Sequence, residues 1–228
     1  MAPTSILQRD DIIDLAPHLD ALSECPVQFR YYCGLDIGRR DFTVLTVIQE
    51  KTITHRDSKT TEFVVVDIKK FKRGADYLAY ADDVATYFRH NAFQLNEYKL
   101  TVDASGVGAP ICEYLSRAHP WLKFRPVIIT SGDNKKHNRY GRNWLILNLR
   151  NYLATAPNFF ISSDLSETPE FRRQLESVEI KETMAGNTSY VVPGNDDHLL
   201  SMALAVIDVS QRAKVKSGTT DLLFSNLS

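Results

Sequence analysis

Several features that would place a sequence in a functional class at once are missing from this one. Cysteine is scarce: Cys25, Cys33 and Cys112 are scattered without metal-ligand spacing, and two of them lie in hydrophobic surroundings. We therefore expect buried, reduced thiols, which are typical of a cytosolic compartment. No apolar run approaches the roughly 18 residues that span a bilayer, and no signal-peptide pattern opens the chain. These absences indicate an intracellular protein.

An excess of basic charge is also missing. The 27 lysine and arginine residues are offset by 28 aspartate and glutamate residues, which leaves a formal net charge of -1. Any surface for nucleic acid must therefore be a local patch. The sequence has no internal repeat and no low-complexity block. It also has no Gly-x-x-x-x-Gly-Lys-Ser/Thr motif, so it encodes no P-loop ATP motor.

What is present is an ordinary globular composition, with 228 residues of which 43% are hydrophobic. Residues 31–48 predict two strands joined by a glycine turn, residues 49–60 a polar loop, and residues 61–71 a third strand. Their closeness in sequence favours an antiparallel meander. Helical spacing then alternates with short β-branched runs. The predicted helices are 75–90, 109–118, 143–155, 169–178 and 195–212, and the predicted strands are 98–104, 123–130 and 158–162, with a hairpin at 177–181 and 189–192.

This order predicts an α/β fold. A central mixed sheet begins as an antiparallel meander and continues with parallel strands, and helices cover both of its faces. Residues 131–143 are predicted to be a polar, basic loop.

Three acidic positions lie at the edges of hydrophobic elements, next to turns. Asp36 is inside the first strand, where a carboxylate is costly unless a positive charge meets it. Asp103 ends the strand at 98–104. Asp196 and Asp197 open a helix that is apolar nearly all round and so is predicted to be buried. Structural roles are open for the last three, since Asp196 or Asp197 can cap the helix and Asp103 can close an Asx-turn.

Taken together, these carboxylates predict a metal site. The strands and the last helix can bring them together at one end of the sheet, and carboxylate oxygens suit Mg²⁺ or Mn²⁺. Two such ions about 3.5–4 Å apart activate water and stabilise the leaving oxygen in phosphodiester hydrolysis. The hypothesis is a two-metal nuclease in which the action of Asp36, Asp103 and Asp197 depends on bound metal ions.

The same stretches carry a family resemblance. Residues 34–44 (GLDIGRRDFTV), 102–108 (VDASGVG) and 195–205 (NDDHLLSMALA) resemble, in order and spacing, the C-terminal nuclease domain of tailed-phage terminase large subunits. That family is similar in fold to ribonuclease H and RuvC resolvases, and it cuts concatemeric DNA during genome packaging. The resemblance implies catalytic, metal-binding roles for Asp36, Asp103 and Asp197, with Asp196 as an accessory or alternative ligand. Asn195 stands where the family often has histidine.

The resemblance also implies a setting for the chain. We interpret residues 1–29 as a leader or interdomain linker remnant, 30–213 as a ribonuclease H-like nuclease domain, and 214–228 as a polar tail. The implied cofactors are Mg²⁺ or Mn²⁺, two ions in all. The implied partners are double-stranded DNA and, in a full-length protein, an N-terminal ATPase domain, a small terminase subunit and a portal. The implied location is the host cytoplasm.

Basic residues near the predicted site are candidates for DNA contact. Side chains of this type bind phosphates without base specificity. A solvated surface is the alternative for each of them, and it is favoured for the run Lys69, Lys70, Lys72 and Arg73. The predicted DNA-binding residues are Lys135, Lys136, His137, Arg139, Arg142, Arg39 and Arg40.

Three other functions remain open. Gly34-x-Asp36-x-Gly38 resembles the first phosphate loop of actin-like ATPases and sugar kinases, which need a second lobe. A Holliday-junction resolvase or integrase has the same fold and would prefer four-way junctions. A non-catalytic DNA- or portal-binding module would use the carboxylates only as helix caps. Full DNA-cleaving activity after Asp36→Ala would leave only structural roles for Asp36.

Overall fold

A computed structural model describes residues 26–38, 42–55, 58–71, 77–91, 97–156, 158–182 and 188–217. Its centre is an eight-stranded sheet in the order β6-β7-β5-β4-β1-β2-β3-β8. Within these described ranges, no helix is long and apolar enough to cross a membrane. The strands are β1 (Val27–Asp36), β2 (Thr43–His55), β3 (Ser58–Phe71), β4 (Tyr98–Asp103), β5 (Arg125–Thr130), β6 (Lys135–Lys136), β7 (Arg139–Gly141) and β8 (Phe159–Ile161).

The first three strands form the antiparallel meander that the sequence predicts. The predicted polar loop at 49–60 is wrong, because β2 continues to His55 and β3 already begins at Ser58. Threonine supports this extension: Thr52 lies opposite Thr61, and their hydroxyl oxygens are 3.2 Å apart. β-Branched residues favour a pleated, half-buried surface even when they are polar. The long β2–β3 pair is therefore part of the sheet.

The other half of the sheet is parallel, as expected. β1 pairs with β4, β4 with β5, and β5 with β7, all in the same direction. Parallel strands end at a common edge, which we call the carboxyl edge; β1 reaches it at Asp36 and β4 at Asp103. The sheet is therefore mixed, and the predicted fold class is confirmed.

Helices cover both faces. On one face, α1 (Tyr77–His90) and α2 (Gly108–Ala118) pack on Tyr31, Cys33 and Leu35 of β1. On the other face, α3 (Arg142–Thr155), α4 (Thr168–Glu176) and α5 (Asp197–Ser217) pack with Tyr32, Val44 and Ile48. β9 (Glu179–Glu182) and β10 (Thr188–Val191) form the predicted separate hairpin. The alternation of side chains along a strand gives each face its own core.

α5 contacts the sheet through a glycine. A Cβ atom added to Gly34 would lie 2.1 Å from the Ser201 carbonyl oxygen and 2.4 Å from the Ala205 nitrogen. Any larger residue would therefore hold the helix away from β1. Gly34 brings the first turns of α5 directly onto β1, two residues before Asp36.

The boundaries differ from the sequence-based ones in places. β1 begins at Val27, inside the segment interpreted as a leader, and α5 continues to Ser217, past the predicted domain end at 213. Residues 1–25 and 218–228 lie outside the described residues. Residues 131–143 are not a simple loop, since they contain β6 and β7, joined through His137 at a positive φ of 50°. Cys33 and Cys112 are buried free thiols as predicted, and Cys25 is outside the described part.

Candidate active site

Asp36 and Asp103 are neighbours across the β1–β4 ladder. Leu35 lies opposite Val102 in this parallel pair, so the next residues, Asp36 and Asp103, end the two strands side by side. Neighbouring strands are about 4.8 Å apart. Leu35 and Val102 face α1 and α2, so Asp36 and Asp103 face the α5 side. The two carboxylates therefore share one end and one face of the sheet.

Asp197 lies at the same edge, on the face of the sheet that α5 covers. It is the first residue of α5, and its Oδ2 accepts a hydrogen bond from the Phe42 N–H at 3.2 Å. Phe42 comes just before β2, whose Val44 lies opposite Asp36. One turn further along α5, Ser201 bonds both the Thr46 hydroxyl at 2.5 Å and the Gly34 carbonyl at 3.3 Å. These contacts fix the helix over β1 and β2 with Asp197 at the carboxyl edge.

All three carboxylates are buried, with exposed fractions of 6% for Asp36, 8% for Asp103 and 6% for Asp197. Asp103 Oδ1 accepts the Ser105 N–H at 2.8 Å, so it does close the local turn considered from the sequence. Burial raises the pKa of the Asp103 carboxyl above its ordinary value, and hydrogen bonding to Ser105 opposes that rise. A nearby cation would favour the charged form.

A side chain from α4 caps the first turn of α5. Gln174 Oε1 accepts the Leu199 N–H at 3.0 Å, and its amide nitrogen lies 3.2 Å from His198 Nδ1. Because the amide nitrogen donates, Nδ1 accepts, and the His198 Nε2–H donates to Glu167 at 2.8 Å. Gln174 and His198 are each 1% exposed. This buried network holds the turn that carries Asp197.

Asp196 has a different environment from Asp197. Its Oδ2 accepts hydrogen bonds from Nε of Arg142 at 3.0 Å and from Nη2 of the same guanidinium. Arg142 Nη1 donates in addition to the Tyr190 carbonyl at 2.7 Å. The pair ties the start of α3 to β10 and the start of α5. Asp196 and Arg142 therefore both have structural partners, and their metal-binding and DNA-binding roles stay predictions.

The other basic candidates lie to one side of the acids. β7 extends the sheet beyond β5, pairing with Ile128–Thr130 at the carboxyl edge, and β6 is the outermost strand. Lys135, Lys136, His137 and Arg139 are exposed, and the Lys135 ammonium lies 4.8 Å from the Trp144 ring centroid. We call this hairpin, residues 135–141, the basic hairpin. Arg39 and Arg40 lie outside the described residues.

Sequence reasoning missed most of the supporting residues. Polar side chains in the nearly all-apolar α5 were an available clue, since a buried polar group needs a partner. Asp208 is one example: it is 8% exposed, and its Oδ2 accepts hydrogen bonds from Thr101 and Arg125, both at 3.0 Å. Ser201 and His198 are others. Their partners on β2, β4 and α4 are distant in sequence, which is why the pattern alone did not identify them.

The donor set fits a divalent cation of the Mg²⁺ or Mn²⁺ type, since three buried carboxylates offer only oxygen. In the described ranges, no group of three or more histidine, cysteine, aspartate or glutamate side chains is close enough to hold an ion. Mg²⁺ is usually bound by one or two carboxylates, several waters and substrate phosphates. Asp36 and Asp103, side by side at the ends of β1 and β4, can supply such a pair.

Comparison with solved structures agrees with this architecture. The large terminase nuclease from thermophilic phage G20c with bound magnesium aligns at a TM-score of 0.54 and 20% identity, over 78% of this chain and 80% of that one. The chain has the fold of a large terminase nuclease. The P22 large terminase nuclease domain aligns at a TM-score of 0.50 and 16% identity, over 82% of this chain and 84% of that one.

The three sequence motifs predicted a terminase nuclease architecture, and the fold confirms that prediction. No protein-family model matches the chain, and no curated protein matches it in sequence. The likeness is therefore carried by the arrangement of the strands and helices.

Proposed function

We propose that this chain is a metal-dependent endonuclease that cuts double-stranded DNA. The observation that carries the proposal is the placement of Asp36 and Asp103 side by side on one face of the sheet, beneath the helix that begins with Asp197. The likeness to terminase nucleases, one of them with bound magnesium, supports the same reading. Three buried acids at one edge are costly without a cation, and DNA is a substrate whose phosphates need one.

The acids are assigned distinct tasks. Asp36 and Asp103 hold the divalent cation, and Asp197 completes its coordination from the α5 side. Asp197 is preferred to Asp196 as the third ligand, because Asp196 is already bonded to Arg142. When bound, two divalent ions supply an activated water and stabilise the leaving oxygen.

The decisive experiment is plasmid digestion with Mg²⁺, with Mn²⁺ and with a chelator. Wild type is compared with Asp36→Asn, Asp103→Asn and Asp197→Asn, which keep the side-chain shape and remove the charge. We expect cleavage with either metal, none with chelator, and a loss of at least roughly 100-fold in each variant, as for removal of one preorganised electrostatic group.

A matched control is available next to the site. Asp196→Asn removes a charge one residue from Asp197, and we expect it to retain cleavage once any loss of stability is allowed for. Full cleavage by Asp36→Asn, or cleavage that is unchanged by chelator, would leave the three acids with structural roles only. Preference for a four-way junction over linear duplex would favour a resolvase.

The basic hairpin is proposed as a phosphate-binding surface. It lies on the carboxyl edge, with β6 four strands from β1 and so about 19 Å from Asp36. Neutralising Lys135, Lys136 and Arg139 together should reduce the slope of log affinity against log salt by up to about 2.7, at roughly 0.9 per phosphate contact. The control neutralises Lys59, Lys99 and Lys123, which lie near the start of β3, β4 and β5, at the opposite edge. If the two triple variants show the same salt dependence of DNA affinity, the basic hairpin does not contact the DNA.

The biological setting follows from the same proposal. A nuclease of this fold would cut concatemeric phage DNA during packaging in the host cytoplasm. It would act beside an ATPase domain, a small terminase subunit and a portal. Cleavage of concatemers in the presence of those components is the assay for this setting.

A further inference from the structure

Lys70 lies in the same row of the sheet as the candidate acids. Val44 pairs with Asp36 on one side and with Lys70 on the other, so the three residues share one level across β1, β2 and β3. Two strand spacings put the Lys70 Cα about 10 Å from that of Asp36. Residues directly opposite in an antiparallel pair project to the same face. Lys70 is therefore on the α5 face, with the carboxylates.

The ammonium of Lys70 is directed toward the carboxyl edge. Its Nζ lies 3.7 Å from the centroid of the Phe42 ring. Phe42 is two residues nearer the edge than Val44, and its N–H is the donor to Asp197. A continuous set of contacts thus joins the charge of Lys70 to the third acid.

The ion pair of Lys70 is weak enough for its ammonium to bind a second anion. Its partner is Glu167, whose Oε2 is 4.0 Å from Nζ, too long for a hydrogen bond. The same oxygen accepts the much shorter bond from His198 at 2.8 Å. The Lys70 side chain is 31% exposed. An ammonium held over an aromatic ring, half-buried and weakly paired, is suited to a phosphate oxygen.

Its neighbour in sequence has the opposite placement. Lys69 pairs with Leu45, which belongs to the core cluster under α1 and α2, so Lys69 projects from the other face of the sheet and is exposed. Lys69 and Lys70 thus belong to different surfaces of the sheet. The solvated strand end favoured from the sequence describes Lys69 but not Lys70.

We infer that Lys70 binds a backbone phosphate of the DNA strand that is held at the three carboxylates, next to the phosphate that is cut. This inference rests on the proposed nuclease function and adds a contact on the opposite side of the acids from the basic hairpin. It gives the site a phosphate contact on each flank.

The test compares Lys70→Met with Lys69→Met, which remove the same charge from adjacent residues on opposite faces. Binding of a short linear duplex is measured at several salt concentrations. Lys70→Met should reduce the slope of log affinity against log salt by about 0.9, the value for one phosphate contact. Lys69→Met should keep the wild-type slope, and Lys70→Arg should keep it as well, which shows that charge is the relevant property.

Glu167→Gln separates phosphate binding from a structural role. It removes the ion pair but leaves the ammonium, so it should keep the salt slope of wild type even if the melting temperature falls. Equal slopes for Lys70→Met and Lys69→Met would overturn the inference, as would equal loss of slope in Lys70→Met and Glu167→Gln. If Lys70→Met does not fold, Lys70→Gln takes its place with the same expected slope. Wild-type protein that fails to bind duplex would instead defeat the proposed function.

Discussion

Replacing Gly34 with alanine is expected to displace α5 from the sheet and Asp197 from the carboxyl edge. The new Cβ would lie 2.1 Å from the Ser201 carbonyl oxygen, 2.4 Å from the Ala205 nitrogen and 2.9 Å from the Leu204 Cβ. Ordinary contacts of this kind are about 3.5–4.0 Å, so the helix must move outward by roughly 1 Å or more. Two of the three obstructing atoms are helix backbone, which no side-chain rotation can relieve.

The size of the effect follows from overpacking, which typically costs about 1–3 kcal/mol. Because the clash is with backbone, we expect the upper end, about 3 kcal/mol. For a chain of this length each kcal/mol lowers the melting temperature by about 2–4 °C, so the expected fall is about 6–12 °C. The measurement is urea unfolding followed by circular dichroism, with amide exchange at Phe42, whose N–H bonds Asp197, as the local readout.

Gly194→Ala is the matched control. Gly194 has a positive φ of 82° and no atom within 4 Å of an added Cβ, so alanine there meets backbone strain alone. Left-handed backbone costs a non-glycine residue about 1–2 kcal/mol. If Gly34→Ala is as stable as Gly194→Ala, and if Phe42 exchange is unchanged, the close approach of α5 does not position Asp197.

Three further predictions concern the elements around α5. Gln174→Ala should lower the free energy of unfolding by about 3 kcal/mol, because the buried Leu199 N–H and His198 Nδ1 both lose their partner; a loss below about 1 kcal/mol in urea unfolding would contradict the capping role. Arg142→Ala and Asp196→Asn should each cost about 1–3 kcal/mol and be non-additive in a double-mutant cycle, whereas additive losses would show that the ion pair is not formed. Hydrogen bonds from Arg173 lower the pKa of Glu170 to about 2 from 4.5, so the charged form stabilises the fold above pH 4.5 and this contribution is lost as the pH falls through about 2. Glu170→Gln should therefore cost less than about 1 kcal/mol at pH 7, and this cost should fall as the pH is lowered from 4.5 through about 2. A pH-independent cost would rule out the charge as its cause.

The sequence was sufficient to predict the elements because their signals are local. Hydrophobic and β-branched runs around a glycine turn identified the meander, and spacings of three and four identified the helices. It failed at residues 49–60, which were predicted to be a loop because they are polar, although Thr52 pairs with Thr61 across β2 and β3. Polar residues such as threonine can therefore continue a strand when the neighbouring strand is long enough to pair with them.

The residues at the carboxyl edge also differ in whether the sequence alone could identify them. Asp36 could be singled out because a carboxylate inside a hydrophobic strand is unfavourable, and that cost is a property of the sequence itself. Lys70 could not, because Lys69 and Lys70 are identical in type and adjacent. Only the register of β3 against β2 places one ammonium beside Phe42 and the other on the opposite face.

The chain by itself therefore determined most of the strands and helices, and it singled out Asp36 as a carboxylate in an unfavourable position. The tertiary structure decided which of these groups meet. Strand order places Asp36 beside Asp103, the missing side chain of Gly34 lets α5 approach, and α4 caps the turn that begins with Asp197. The physical reason is range: backbone preference and burial cost act on neighbours along the chain, whereas pairing, close contact and capping join residues that are far apart in sequence.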